Sequence, residues 1–186
     1  MRYFGEKVRL RAIEREDLPR YVEWLADPEV SENLAIQMPM SLVHEERWYE
    51  ENLRLPIEQQ ALAVDARRSR GTWEHIGSIG FHQLDNRNRI AECGLFIGLK
   101  KYWNKGYGSD ALRTLLRYGF DVLNLHAIQL RVMAYNERAI HVYEKIGFVR
   151  EGTQREVHFY KGQYWDMHFY SILRREWEAC SGASKE

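Results

Sequence analysis

Two glycines stand at the start of a predicted helix, a pattern typical of an anion-binding loop. The segment Phe96-Ile-Gly-Leu-Lys-Lys-Tyr-Trp103-Asn-Lys-Gly106-Tyr-Gly108-Ser-Asp runs from a predicted strand through a loop directly into that helix. The first N–H groups of a helix lack intrahelical partners and lie at the positive end of its dipole. Gly106 and Gly108 would therefore let a bulky anion, such as a pyrophosphate, approach that backbone closely.

Three alternatives compete for this glycine pattern. A Walker phosphate loop needs Gly-Lys-Ser/Thr, but Lys105 precedes its glycine, so that class is excluded. The spacing Gly106-x-Gly108-x-x-Ala111 fits a dinucleotide fingerprint loosely. A Rossmann unit, however, ends its next strand with an acid, where this chain has Met133-Ala-Tyr. From this segment alone, the third alternative, an ordinary tight turn that leads into a helix, is not excluded.

A second segment aligns polar and small residues on one face of a later helix. In Asn136-Glu-Arg-Ala-Ile-His-Val-Tyr-Glu-Lys-Ile-Gly-Phe148, steps of three and four residues align Asn136, Ala139 and Tyr143. The usual capping signals of a helix predict Asn136 as the N-cap and Gly147 as the left-handed C′ residue, with Phe148 folding back on Tyr143. It does not explain why a small residue and a phenol share one stripe. A ligand passing over that face would explain it.

Together the two segments resemble the motifs of the GNAT acetyltransferases. Trp103-Asn-Lys-Gly-Tyr-Gly108 is similar to the family's (Gln/Arg)-x-x-Gly-x-(Gly/Ala) motif, and Asn136-x-x-Ala-x-x-x-Tyr-x-Lys-x-Gly-Phe148 matches the motif that follows it. The resemblance covers nearly the whole chain. The Trp at the first motif position resembles the branch of ribosomal-protein N-terminal acetyltransferases and spermidine N-acetyltransferases. It implies acetyl transfer from acetyl-CoA, the co-substrate, to a primary amine, with no metal.

The resemblance also implies roles in binding the cofactor. Backbone groups of Phe96, Ile97 and Gly98 would pair with the pantetheine arm where two parallel strands splay apart. Asn136 would hydrogen-bond the pantetheine region, and Ala139 would leave room for it. The pyrophosphate would lie on the backbone amides of the loop, with a lysine adding charge, in the segment Trp103, Asn104, Lys105, Gly106, Tyr107, Gly108 and Ser109.

Tyr143 and Glu92 are the predicted catalytic residues. Tyr143 is the predicted general acid, because the reaction expels a thiolate that a neutral phenol can protonate. The amine attacks directly, so no enzyme nucleophile is required. Glu92 is the predicted general base, since it lies on the strand before the cofactor loop, where some members of the superfamily carry a catalytic glutamate. A Glu92 paired with Arg89 is the alternative, and His82 ranks second as a base.

The acceptor is expected between the early helices and the last hairpin. The hairpin His158–Asp166 is rich in aromatics and resembles that of the spermidine acetyltransferases. Gln37-Met38, however, replaces the acidic pair that those enzymes carry before the loop proline. A polyamine and a peptide N-terminus therefore both stay open as acceptors, and a non-catalytic acyl-CoA sensor is the alternative function. The hairpin aromatics fit the core or a dimer contact, so a homodimer stays open too.

Composition limits the class of protein. The 186 residues are 45% hydrophobic and carry 27 Lys+Arg against 27 Asp+Glu, so the formal net charge is zero. We therefore expect no nucleic-acid or membrane partner. The length favours one domain, which the resemblance makes an acetyltransferase domain over residues 1–175 with a short tail over 176–186. Two distant cysteines without metal-ligand spacing and no long apolar run favour a reduced, cytoplasmic setting.

Hydrophobic periodicity predicts the element order β-α-α-β-β-β-α-β-α-β-β. This order indicates a mixed α+β class, with a predominantly antiparallel sheet that contains one parallel crossover pair. The resemblance implies that this is the GNAT fold, a twisted sheet with helices on both faces. The crossover helix, Gly106–Leu123, is amphipathic and is expected to turn Asp110 outward. On the second predicted helix, a group of acids is interpreted as a solvated face: Glu45, Glu46, Glu50 and Glu51.

Overall fold

The computed structural model describes residues 3–34, 36 and 38–182. Over this part of the chain it contains eight strands and six α-helices. The strands are β1 (Tyr3–Phe4), β2 (Val8–Ala12), β3 (Leu62–Arg67), β4 (Trp73–Asp85), β5 (Ile90–Ile97), β6 (Ala127–Met133), β7 (Val149–Tyr160) and β8 (Gln163–Leu173). The helices are α1 (Leu18–Leu25), α2 (Pro28–Ser31), α3 (Leu42–Arg54), α4 (Tyr107–Arg117), α5 (Glu137–Ile146) and α6 (Arg174–Gly182).

The strands form one mixed sheet in the order β1-β2-β3-β4-β5-β6-β8-β7. Strands β5 and β6 pair parallel. The β1–β2, β2–β3, β3–β4, β6–β8 and β7–β8 pairs are antiparallel. The single parallel pair follows from the crossover through α4, as the element order predicts.

The chain divides into two compact units. The first unit comprises residues 1–82 and 94–115, and the second comprises 83–93 and 116–186. Strands β4 and β5 and helix α4 contribute residues to both. The predicted single domain over 1–175 stays a prediction.

In the first unit, α1 and α3 pack over a core that is rich in aromatics. Tyr21 and Trp24 of α1 are buried there together with Tyr49 of α3. The half-buried rings of Phe96 and Trp103 pack against the same core. The core therefore supports both the end of β5 and the loop that follows it.

The second unit contains the β6–β8–β7 ladder with α5 and α6. Trp177 of α6 is buried, and its ring stacks on Phe120 at 6.0 Å between centroids. Arg174 donates to the carbonyl oxygens of Phe120 (2.6 Å) and Leu125 (2.9 Å), beyond the end of α4. The segment predicted as a tail thus begins inside a packed helix up to residue 182.

Most predicted elements occur with shifted ends, and one interpretation of the surface of α3 is wrong. The strand predicted over Gln60–Asp65 lies at Leu62–Arg67. Glu45 is buried on α3 rather than part of a solvated face, and burial raises the pKa of its carboxyl group. Helical spacing places Glu45 one turn before Tyr49, on the side that packs inward. Gln37, cited for the acceptor, lies outside the described residues.

Candidate active site

The loop after β5 is closed by side-chain and backbone hydrogen bonds in the first unit. The indole N–H of Trp103 donates to the Ile97 carbonyl oxygen at 2.6 Å, and the N–H of Gly98 donates to the Ile76 carbonyl oxygen at 2.8 Å. The Trp103 side chain therefore links the end of the loop to its start through this hydrogen bond. A polar residue is usual at this position of the motif. The Gly98 N–H is already engaged by β4.

Two glycines in this region are required by packing within the protein. A Cβ at Gly98 would lie 2.2 Å from the Trp24 ring, and one at Gly77 would lie 2.1 Å from the Phe96 carbonyl oxygen. Both distances are far below any van der Waals contact, so α1 and β4 approach β5 only because these positions lack side chains. Gly98 is thus explained by the ring above it.

The two motif glycines at the start of α4 have different causes. Gly106 has φ +82°, in the left-handed region that favours glycine, and Asn104 has φ 56°. A Cβ at Gly108 would make ordinary contacts only, 3.7 Å from Leu95 and 3.8 Å from Ile97. Among the described residues, no neighbouring atom comes close enough to Gly108 to require a glycine. The open space beside this helix start can accommodate an anionic group.

The loop lysines differ in what their ammonium groups contact. Lys100 lies 2.7 Å from Asp27 and 2.6 Å from Glu29, and Lys101 lies 2.8 Å from Glu74. Lys105, the lysine predicted to add charge to the phosphate loop, donates to the Lys101 carbonyl oxygen at 2.7 Å. Carboxylates thus neutralise Lys100 and Lys101, whereas Lys105 is held by a neutral group.

Asp110 does not point into solvent as the helical pattern predicted. Its carboxylate accepts three backbone N–H groups from the β1–β2 turn: Glu6 (3.1 Å), Lys7 (2.8 Å) and Val8 (3.0 Å). Periodicity cannot reveal this contact, because the partner lies about one hundred positions away in sequence. The first turn of α4 is thereby bound to the N-terminal hairpin.

In the second unit, the parallel ladder between β5 and β6 ends at Glu92. The pairs run from Ile90↔Ala127 to Glu92↔Gln129, while β5 itself continues to Ile97. Successive strand residues point to opposite faces, so Glu92 and Cys93 lie on opposite sides of the sheet. Burial, with a contribution from Glu92, raises the pKa of the Cys93 thiol to about 12, so it stays protonated.

Glu92 pairs with Arg131, a residue that the sequence analysis did not consider as its partner. Arg131 Nε lies 2.9 Å from Glu92 Oε1. Arg131 is two residues beyond Gln129 on the neighbouring strand, so it projects from the same face as Glu92. Arg89, at φ 57°, belongs to the turn before β5. The sequence did not single out Arg131, because its proximity depends on the parallel register.

The Glu92–Arg131 pair lies in a pocket of about 430 Å³. Four strands contribute its polar lining, namely Gln83, Glu92, Gln129, Arg131 and Glu151. Glu151 accepts a hydrogen bond from the Ser171 hydroxyl at 2.6 Å. Two carboxylates and one guanidinium leave this pocket with a net negative charge, which favours a cationic amine.

Helix α5 has the ends that the sequence predicted. The Asn136 side chain accepts the Ala139 N–H at 3.1 Å, so it caps the helix, and Gly147 ends it with φ 113°. The ring of Phe148 lies 5.9 Å from that of Tyr143. Capping uses the amide oxygen of Asn136, and the amide nitrogen can still donate to a ligand.

The hydroxyl of Tyr143 is strongly held in its neutral form. Burial raises the pKa of Tyr143 well above its usual value, and the nearby Cys93 thiol raises it further. The ring of Tyr143 lies 6.4 Å from that of Tyr170, which pairs with Leu130 on β6. Leu130 points to the opposite face of the sheet from Gln129 and Glu92, so Tyr143 lies on that opposite face.

The remaining candidates lie elsewhere. His82, the second candidate base, is exposed in the first unit, where its imidazole would lie 2.9 Å from a Cβ at Gly94.

In the second unit, Tyr135 contacts the rings of Tyr160 (5.4 Å) and Trp165 (5.2 Å), so part of the last hairpin packs internally. The rings of Phe159 and Tyr164 contact each other at a tilted angle, 5.1 Å between centroids, and both side chains are more than half exposed.

Comparison with known proteins identifies the family. The model of the acetyltransferase (GNAT) domain matches residues 7–149. The chain belongs to the GNAT acetyltransferases. An uncharacterized N-acetyltransferase of Bacillus licheniformis is 32% identical over 178 residues, 94% of this chain and 97% of the relative. Spermidine N(1)-acetyltransferase of Vibrio cholerae is 30% identical over 174 residues, 93% of this chain and 96% of the relative.

The solved structures agree with this GNAT assignment. Spermidine N-acetyltransferase from Vibrio cholerae, in complex with CoA and spermine, superimposes with a TM-score of 0.83 at 26% identity. The match covers 93% of this chain and 99% of that one. The predicted resemblance and the GNAT fold are confirmed, and this GNAT chain is an N-acetyltransferase.

Two further observations concern the part of the GNAT chain that the structure describes. None of its helices combines the length and apolar character needed to cross a membrane. No three His, Cys, Asp or Glu side chains in it gather closely enough to hold a metal ion. The cytoplasmic location stays a prediction.

Proposed function

We propose that this GNAT enzyme transfers acetyl from acetyl-CoA to a primary amine by direct attack, with Tyr143 as general acid and Glu92 as general base. One observation supports the proposal: Glu92 is the last residue of the parallel ladder in the second unit, and the Tyr143 ring lies against Tyr170 on the opposite face of the sheet. An acid for the departing sulfur and a base for the incoming amine are needed on opposite sides of the reacting carbonyl.

The reaction balances without an enzyme nucleophile. The amine nitrogen forms a bond to the thioester carbonyl carbon, and the carbon–sulfur bond breaks. Before the attack, the ammonium form of the amine loses one proton to Glu92, directly or through water. After the attack, the sulfur gains a proton from Tyr143, and the second proton lost by the nitrogen restores the phenol. Because the pKa of Tyr143 is raised by burial, the phenol is protonated when the thiolate forms.

Several segments of the chain are proposed to bind CoA. In the first unit, Phe96, Ile97 and Gly98 would pair with the pantetheine arm, and the amides of 104–109 would hold the pyrophosphate. In the second unit, Asn136 would donate its amide nitrogen and Ala139 would leave space for the cofactor. The open position at Gly108 supports the phosphate assignment, because no protein group accounts for the missing side chain.

The acceptor is proposed to be a small amine such as spermidine. The net negative pocket around Glu92 and Glu151 supports a cationic acceptor, and a structural neighbour is a spermidine N-acetyltransferase. A peptide N-terminus is the second candidate. Arg131 favours it, because a guanidinium beside Glu92 could bind the carbonyl that follows an α-amine.

Thiol release from acetyl-CoA, measured with a panel of amines, tests the proposal. Spermidine, spermine, dipeptides with free N-termini and single amino acids should be compared at equal concentration. Acceleration by spermidine alone supports the polyamine acceptor, and acceleration by dipeptides alone supports the peptide acceptor. Tight CoA binding without acceleration by any amine would instead support an acyl-CoA sensor.

A further inference from the structure

The β1–β2 turn places one more cation at the start of α4, and we propose that Lys7 binds the pyrophosphate of CoA. This inference rests on the proposed function, because it takes the first turn of α4 as the phosphate site. Lys7 precedes β2 and lies outside both motifs that the sequence analysis used. All the contacts that carry the inference are within the first unit.

The backbone of Lys7 is held from both sides. Its N–H donates to Asp110 Oδ2 at 2.8 Å, and its carbonyl oxygen accepts the Arg67 N–H at 2.8 Å. A Cβ at Gly5 would lie 2.4 Å from the Asp110 carboxylate, so the turn closes on α4 only with glycine there. Lys7 therefore has a fixed origin beside the helix start.

The ammonium group of Lys7 reaches the loop itself. Its Nζ donates to the Lys105 carbonyl oxygen at 2.9 Å and lies 3.2 Å from where a Cβ of Gly106 would be. It also lies 5.8 Å from the centre of the Tyr107 ring. An ammonium has three N–H donors, and this contact uses one, so two can reach a phosphate oxygen.

Lys7 differs from Lys100 and Lys101 in the groups that its ammonium contacts. Asp27, Glu29 and Glu74 neutralise Lys100 and Lys101, so these two lysines serve the loop's own structure. The ammonium of Lys7 contacts a carbonyl oxygen, and no carboxylate of the described residues forms an ion pair with it. The three backbone N–H groups on Asp110 likewise satisfy the one carboxylate of the first helical turn, which would otherwise repel an anion.

Binding of three probes to Lys7→Met tests this inference. CoA carries a pyrophosphate and a 3′-phosphate, dephospho-CoA keeps only the pyrophosphate, and pantetheine has no phosphate. We expect Lys7→Met to weaken CoA and dephospho-CoA equally, by about 10-fold, and to leave pantetheine unchanged. Lys7→Arg should retain most of the affinity, because the charge is kept. Calorimetric titration gives all three dissociation constants.

Lys100→Met is the matched control, since it removes a loop lysine already paired with Asp27 and Glu29. It should leave the affinity ratio between CoA and pantetheine unchanged. An equal loss for all three probes in Lys7→Met would reveal a structural role and overturn the inference. So would an unchanged affinity for CoA, or a loss confined to CoA. If the unaltered protein does not bind CoA, the proposed function itself fails, which is a separate result.

Discussion

At the residue scale, Tyr143 is distinguished by an environment that keeps its phenol neutral. Asn136, Gly147 and Phe148 are explained by the ends of α5, but the hydroxyl of Tyr143 is not needed for any of these contacts. Burial and the Cys93 thiol both oppose its ionisation. A half-buried phenol that stays protonated is suited to donate a proton to a departing thiolate.

We expect Tyr143→Phe to lower kcat by about 100-fold while changing the KM for acetyl-CoA less than twofold. The ring contacts of Tyr143 survive in phenylalanine, so folding should be retained. Because the pKa of Tyr143 is raised, wild-type kcat should show no loss from its ionisation up to pH 10. Tyr49→Phe, which removes a phenol from α3, serves as the control. Unchanged kcat in Tyr143→Phe would remove it from catalysis.

Glu92 is predicted to act on the amine rather than on the cofactor. Glu92→Gln should lower kcat by about 30-fold at neutral pH without weakening CoA binding. Its defect should shrink at higher pH, where more of the amine has already lost its proton. Steady-state rates from pH 7 to 10 measure this recovery. A defect independent of pH would point to a structural role for the pair with Arg131.

At the element scale, the loop before α4 combines two glycines with separate functions. Gly106 provides a left-handed backbone, while Gly108 has helical geometry and open space beside Leu95 and Ile97. Substitutions at these two positions should therefore affect different quantities.

We expect Gly106→Ala to lower the free energy of unfolding by about 1–2 kcal/mol, because a side chain disfavours positive φ. Gly108→Val should leave that free energy within about 0.5 kcal/mol but raise the KM for acetyl-CoA about 10-fold. Urea denaturation and steady-state kinetics measure the two effects. Loss of stability in Gly108→Val without a change in KM would contradict a ligand above this position.

At the scale of the whole molecule, buried charges link stability to pH. Asp17 is nearly buried, and burial alone would raise its pKa. Hydrogen bonds from Arg11 at 2.7 and 2.8 Å and a contact with His75 at 3.1 Å outweigh burial, so the pKa of Asp17 is held well below its usual value. A lowered pKa in the folded state stabilises the fold above the unfolded value, and the effect disappears as pH falls.

Asp17→Asn should therefore lower the free energy of unfolding at pH 7 by about 1–3 kcal/mol. The difference from wild type should shrink as pH falls below about 4, near the unfolded pKa of aspartate. Urea denaturation at pH 7, 5, 4 and 3 measures this convergence. Arg15→Ala, which removes an exposed contact with Glu50, should shift both ends of the range equally. A difference that grows on acidification would contradict the assignment.

Local patterns in the sequence determined several features of this protein. The caps of α5, the glycine at C′ and the packing of Phe148 on Tyr143 depend on neighbours within one or two helical turns. The crossover between β5 and β6 follows from element order, and both motifs are contiguous. Such features need no knowledge of distant residues, because hydrogen-bond geometry over a few positions specifies them.

Only the tertiary structure decided which distant residues meet. Arg131 reaches Glu92 through the parallel register, Asp110 binds a turn about one hundred positions earlier, and Lys7 thereby reaches Gly106. Glu45, polar by type, is buried because its turn of α3 faces inward. Helical or strand periodicity specifies a face of an element but not what packs on it. Pairing across the sheet, which brings remote segments together, is what completes the candidate site.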